Sequence, residues 1–91
     1  MSTYTLQYRK EVKKTIQKNK ATLKKRFDKW VEKLVKDPYK ENDGLVKNKF
    51  YDGKQMYKKR FGSFRIIYVI YETEIKILFT YAGSRGQIYN I

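Results

Sequence analysis

The chain has 91 residues, with 22 Lys and Arg against 9 Asp and Glu, a formal charge of +13 at neutral pH. It contains no cysteine and no histidine. That excludes disulfide staples, thiolate-held zinc, histidine-based triads and ribonuclease chemistry built on a histidine pair. The length fits one small domain, residues 1–91, with a single modest core, and the positive excess is the electrostatic footprint of a nucleic-acid binder.

No run approaches the roughly 18 apolar residues of a membrane span, and the N-terminus lacks the apolar stretch of a signal peptide. The expected location is therefore cytoplasmic, with no membrane partner. Residues 4–8 alternate, with Tyr4, Leu6 and Tyr8 on one side, and predict a short strand. From Arg9 to Lys36 the period is helical. Val12 and Ile16 lie four apart, and Leu23, Phe27, Trp30, Val31, Leu34 and Val35 follow at spacings of three and four. Asn19 interrupts the interval between Ile16 and Leu23, so a helical hairpin is expected. The helix ends before Pro38, because the residue preceding a proline avoids the α region.

Residues 37–53 are turn-rich, with Asp43-Gly44 and Asp52-Gly53 as turn dipeptides. Leu45, Val46, Phe50 and Tyr51 are expected to dock on the core. Three strands are predicted at about 55–61, 64–71 and 75–82, followed by a tail. The fold class is α+β: an N-terminal strand, a helical hairpin, then an antiparallel three-stranded meander with the helices on one face of the sheet.

Gly62-Ser63 reads as a two-residue hairpin turn, which pairs Phe61 with Phe64 and Arg60 with Arg65. A second two-residue loop at Glu72-Thr73 pairs Ile70 with Ile75, Tyr68 with Ile77, Ile66 with Phe79 and Phe64 with Tyr81. All eight then share one apolar face against Ile16, Leu23, Phe27, Trp30 and Leu34. Lys59 falls on that side and must snorkel at an edge. The outer face collects Lys58, Arg60, Arg65, Ile67, Val69, Lys76, Leu78 and Thr80, with Thr80 beside Arg65. The tail carrying Arg85 and Tyr89 leaves from the same end, and its Ile88 and Ile91 are expected to cover the outer apolar residues. A charged sheet edge that resists aggregation explains Lys59 and Lys76. It explains less well two arginines facing each other, since like charges directly opposite repel. Guanidinium groups grip phosphate bidentately, so an anion is the expected compensation.

The run Tyr57-Lys58-Lys59-Arg60-Phe61-Gly62-Ser63-Phe64-Arg65-Ile66-Ile67-Tyr68 resembles the central motif of the RelE/ParE toxin superfamily. That motif is a basic strand, a glycine turn, an aromatic-Arg pair and an apolar strand ending in Tyr. Gly83-Ser84-Arg85-Gly86-Gln87-Ile88-Tyr89 resembles the closing glycine, basic residue and tyrosine of that superfamily. The resemblance implies a RelE-like fold and a toxin of a toxin–antitoxin pair. RelE-type members enter the ribosomal A site and cleave mRNA by 2′-hydroxyl attack on the adjacent phosphate, without a metal or cofactor. It also implies that Lys58, Arg60, Arg65, Arg85 and Tyr89 take the functional positions, with Tyr89 or Lys58 as general base, a role for which the ordinary pKa of about 10 needs lowering, as neighbouring cations can do. The implied partners are an acidic RelB-like antitoxin, the ribosome and mRNA. Two alternatives stand beside this reading: a ParE-like poison of DNA gyrase, and a non-catalytic basic domain that binds RNA or the ribosome.

Overall fold

The computed structural model describes residues 3–23 and 25–84. The alternating N-terminal run forms β1 (Thr5–Tyr8). The helical stretch divides into α1 (Lys10–Lys18), α2 (Lys20–Leu23) and α3 (Arg26–Leu34). The first of the two breaks falls at Asn19, and a second separates Leu23 from Arg26. The Asn19 side chain donates to the Thr15 carbonyl at 2.8 Å, and its own carbonyl accepts from Leu23 at 2.9 Å, so one polar residue closes α1 and opens α2. The end of α3 is tied to the start of the chain, where the Tyr4 N–H donates to the Val35 carbonyl at 2.8 Å.

Four further strands follow: β2 (Leu45–Tyr51), β3 (Lys54–Phe61), β4 (Phe64–Tyr71) and β5 (Lys76–Ser84). They form a five-stranded sheet in the order β1-β5-β4-β3-β2, with β1 parallel to β5 and the rest antiparallel. The meander is thus one strand longer than expected. Residues 45–51 pair as a strand where docking side chains were expected, and Leu45 and Phe50 remain exposed. A register shift between Leu45 and Phe50, with Asn48 at φ 60°, breaks the alternation that would have announced this strand. The turn into β3 has positive φ at both Asp52 and Gly53, as a type I′ hairpin requires.

The β4–β5 connection corrects the expected register. Tyr71 pairs with Lys76, so the loop spans 72–75, and Tyr68 pairs with Phe79 instead of Ile77. Ile75 sits in that loop with φ 51°, partly exposed, and not in the core. The slip is two residues, which preserves the inward face of Ile77 and Phe79. A bulge at Thr80 then changes the rest. Tyr81 pairs with Ile67 on the outer face, Ala82 with Ile66, Gly83 with Arg65 and Ser84 with Phe64. Tyr81 is therefore absent from the helix-side face, and Ala82 takes its place there.

Between helices and sheet, Val12, Ile16, Leu23, Phe27, Trp30 and Leu34 pack on Phe61, Phe64, Ile66, Tyr68, Ile70, Ile77 and Phe79. Trp30 is the hub, its ring 5.6 Å from Phe61, 5.9 Å from Tyr68 and 5.9 Å from Phe79 between centroids. Its indole N–H donates to the Glu41 carbonyl at 2.7 Å, so burial leaves no donor unsatisfied. On the other face Met56, Ile67 and Val69 are covered by Val46, Tyr51, Leu78 and Tyr81. Cover for that patch thus comes from β2 and β5; Ile88 and Ile91 lie outside the described residues. Among the described residues, no helix is long and apolar enough to cross a membrane.

Candidate active site

The β3–β4 hairpin turns at Gly62, whose φ of 62° precedes a Ser63 without positive φ, the pattern of a type II′ turn with glycine first. Phe61 pairs with Phe64 and Arg60 with Arg65, while Lys58 pairs with Ile67. The two phenylalanines point into the core, so alternation sends Lys58, Arg60 and Arg65 to the outer face. Directly opposite residues hold their Cβ atoms about 4.5–5.5 Å apart, so the two guanidinium groups start from adjacent stems.

The pair is not symmetrical. Arg65 is only 8% exposed and donates from Nη1 to the Gly62 carbonyl at 3.3 Å. Its other neighbour in the sheet is Gly83, which puts no side chain beside it. One anchored N–H out of the five on a guanidinium leaves the others to meet a ligand. Arg60 is exposed, and its backbone N–H donates to Asp43 Oδ2 at 2.8 Å. The half-buried Lys58 is fixed by the same turn: its N–H donates to the Gly44 carbonyl at 3.0 Å and its carbonyl accepts from Asp43 at 2.8 Å. Among the described residues the ion pairs are Lys59 with Asp43 at 3.8 Å and Arg9 with Glu11 at 3.9 Å. Lys58, Arg60 and Arg65 take part in neither. A mostly buried cation without a carboxylate is costly, and an anion lowers that cost.

The bulge brings further groups to this face. Thr80 is buried, and its hydroxyl donates to the Ile67 carbonyl at 3.3 Å. Arg9 donates from Nη1 to the Thr80 carbonyl at 3.5 Å and lies 5.8 Å from the centroid of Tyr51. A cleft of about 380 Å³ lies between α1 and the bulged part of β5, lined by Arg9, Glu11, Val12, Thr15, Thr80, Tyr81 and Ala82. Sequence reasoning missed both Arg9 and Tyr81. Arg9 reaches this face only because β1 runs parallel beside β5, a pairing with no local signal. Tyr81 reaches it because the bulge turns it outward.

Four other tyrosines are held protonated. Burial pushes the phenols of Tyr8, Tyr68 and Tyr71 up, and Tyr39 is pushed up to about 12 by burial and by its hydrogen bond to Glu72. The Tyr68 hydroxyl donates to the buried Pro38 carbonyl at 2.6 Å. None of these phenols is poised to accept a proton near neutral pH. Glu72 and Glu74 lie in the 72–75 loop, at the opposite end of β4 from the arginine pair. Of the five site residues expected, three come together on the outer face; Arg85 and Tyr89 lie outside the described residues. Among the described residues no three acidic side chains gather to hold a metal ion.

Residues 3–89 match the family model described as the ParE toxin of the type II toxin–antitoxin system, parDE. The chain belongs to this family. It is a toxin of a type II toxin–antitoxin system within the RelE/ParE superfamily. Solved structures share its fold. RelE in the archaeal RelE–RelB complex from Pyrococcus horikoshii OT3 is 24% identical, with a TM-score of 0.71 over 93% of this chain and 98% of that one. A free-state mutant of Escherichia coli RelE, with two arginines replaced by alanine, is 17% identical, with a TM-score of 0.69 over 99% and 93%. The intact E. coli RelBE complex matches at 19% identity and a TM-score of 0.69, over 89% and 95%. No curated protein matches the chain. The family match and these likenesses agree on architecture, while the family model carries the ParE name and the solved neighbours carry the RelE name.

Proposed function

We propose that this toxin is a ribosome-dependent mRNA endonuclease that cleaves in the A-site codon without a metal. The observation that carries the reading is the Arg60–Arg65 pair with Lys58 on the same face, their side chains in none of the ion pairs among the described residues. A scissile phosphate seated between the two guanidinium groups relieves their repulsion and gains bidentate hydrogen bonds. The 2′-hydroxyl attacks the adjacent phosphorus. Its proton passes to Tyr89 or Lys58 as general base, a 2′,3′-cyclic phosphate forms, and the 5′-oxygen leaves with a proton from a neighbouring cation. Arg65, fixed against the Gly62 carbonyl, is suited to the charge that develops on the non-bridging oxygens, where a donor is typically worth 10²–10³ in rate. Arg85 is assigned to the same phosphate. A cognate acidic antitoxin would cover this positive surface, and mRNA and the ribosome are cytoplasmic targets.

The ParE family match favours a second reading, in which the same fold poisons DNA gyrase. Primer extension on mRNA with ribosomes stalled at an empty A site decides between them, comparing wild type with Lys58→Ala and Tyr89→Phe. Cleavage within the A-site codon, slowed in both variants, supports the ribonuclease. Intact mRNA together with accumulated cleaved DNA–gyrase complexes on expression refutes it in favour of the gyrase target. Intact mRNA with salt-sensitive ribosome binding would leave a non-catalytic basic domain.

A further inference from the structure

A second cationic feature lies on the helix side of the sheet, away from the face that holds Arg65. Between α3 and β3 runs a groove of about 380 Å³. Arg26, Lys29 and Lys33 line one wall; spaced three and four residues apart, they share one face of α3 and span about 10 Å along its axis. Lys59 of β3 forms the other wall, and Arg60, whose side chain alternation sends to the outer face, borders the groove at its hairpin end. Glu41 is the single acidic residue of the lining, and Asp43 pairs with Lys59 at 3.8 Å. The floor is Trp30 and Phe61, each only 6% exposed. Arg60 borders this groove and also faces Arg65 across the hairpin, so the two cationic regions meet at the β3–β4 turn.

We propose that this groove binds the phosphodiester backbone of a single RNA strand, continuous with the strand held at Arg60 and Arg65. The choice of RNA rests on the function proposed above. The choice of a polyanion over a folded partner rests on the lining. Protein partners are anchored by large apolar side chains in desolvated pockets. Here the aromatic floor is already occupied by the protein's own core contacts and offers almost no free surface. What remains accessible belongs to the side chains of the walls and the hairpin end, which carry five cations against one carboxylate, and charge in a row is what tracks a phosphate backbone.

The test is a salt series of binding to a fluorescently labelled, mixed-sequence single-stranded oligoribonucleotide, using the full chain and a Lys29→Gln/Lys33→Gln double variant. Both lysines are exposed and stand outside the proposed active site. Each phosphate contact contributes about 0.7 to the slope of log K against log salt for single strands, so the double variant should lose about 1.4 of slope. Its affinity at 0.1 M salt should fall on the order of tenfold, from the same relation, with an unchanged melting temperature. An unchanged slope overturns the proposal. So does a variant that loses competition by polyglutamate while keeping its RNA slope, because the groove would then be a protein-docking surface. The two readings fail separately. A lowered slope without A-site cleavage keeps the groove and refutes the nuclease; cleavage that needs Lys58, with the slope unchanged, does the reverse.

Discussion

The β3–β4 hairpin has two faces made from one continuous run of chain, and they differ in what holds them. On the helix side Phe61, Phe64, Ile66 and Tyr68 surround Trp30 and are almost completely buried. On the outer side Arg60 and Arg65 oppose each other with no carboxylate between them among the described residues, and Arg65 is buried as a charge. One face gains free energy from every contact; the other holds a repulsion that a neutral pair would lack. Strand alternation lets both coexist, because the core that fixes the hairpin also holds the two arginines directly opposite each other across the ladder. A strained arrangement of this kind is expected where a ligand completes the balance.

The contrast can be broken most severely from the inner face. Trp30→Ala should cost about 3–5 kcal/mol, since it empties the hub that Phe61, Tyr68 and Phe79 share; denaturant unfolding followed by circular dichroism measures it. Tyr68→Phe removes only a hydroxyl but leaves the buried Pro38 carbonyl unpaired, at a cost of about 1–3 kcal/mol by the same method. The raised phenols add a pH signature. Because the folded state keeps protons that the unfolded chain loses, stability should be intact below pH 10, where the ordinary phenol value lies. It should fall as pH climbs toward the Tyr39 value of about 12. A melting temperature that rises between those values would contradict this.

Two smaller effects sharpen the comparison by removing strain. Ile75 is a β-branched residue at φ 51°, so Ile75→Asn should raise stability by about 1 kcal/mol, a few degrees in thermal melts, with cleavage untouched. Arg60→Thr should also stabilise, by roughly 0.2–1 kcal/mol, by ending the repulsion across the turn. Unlike the first change it should weaken cleavage, since it removes one of the two guanidinium groups proposed to hold the phosphate. A thermal shift assay beside a cleavage assay separates the two.

The β3–β4 hairpin was legible in the sequence because Gly62-Ser63 sits between alternating runs, and one turn dipeptide fixes the register of everything near it. That alone put Lys58, Arg60 and Arg65 on one face. The first helical break was legible for a similar reason: Asn19 is a polar interruption in an apolar period, whereas the break between Leu23 and Arg26 was not placed. What escaped was set by tertiary pairing. Nothing near Glu72 and Thr73 reveals that Ile75 would accept a left-handed backbone, or that Thr80 would bulge, yet those two events decide where Ile75 and Tyr81 go. The strand at 45–51 hid behind Lys47, Asn48 and Lys49, polar at an exposed edge. Arg9 entered the outer face only through the parallel pairing of β1 with β5, between residues about seventy positions apart.

The arginine pair, on this proposal, serves an anion and not the fold. That assignment is tested most directly by Arg65→Ala, with thermal stability and A-site cleavage measured on the same preparation. The account predicts a melting temperature equal to or above wild type, with cleavage slowed on the order of 10²–10³-fold. A melting temperature that drops as far as a core substitution, or cleavage that persists at the wild-type rate, would contradict it.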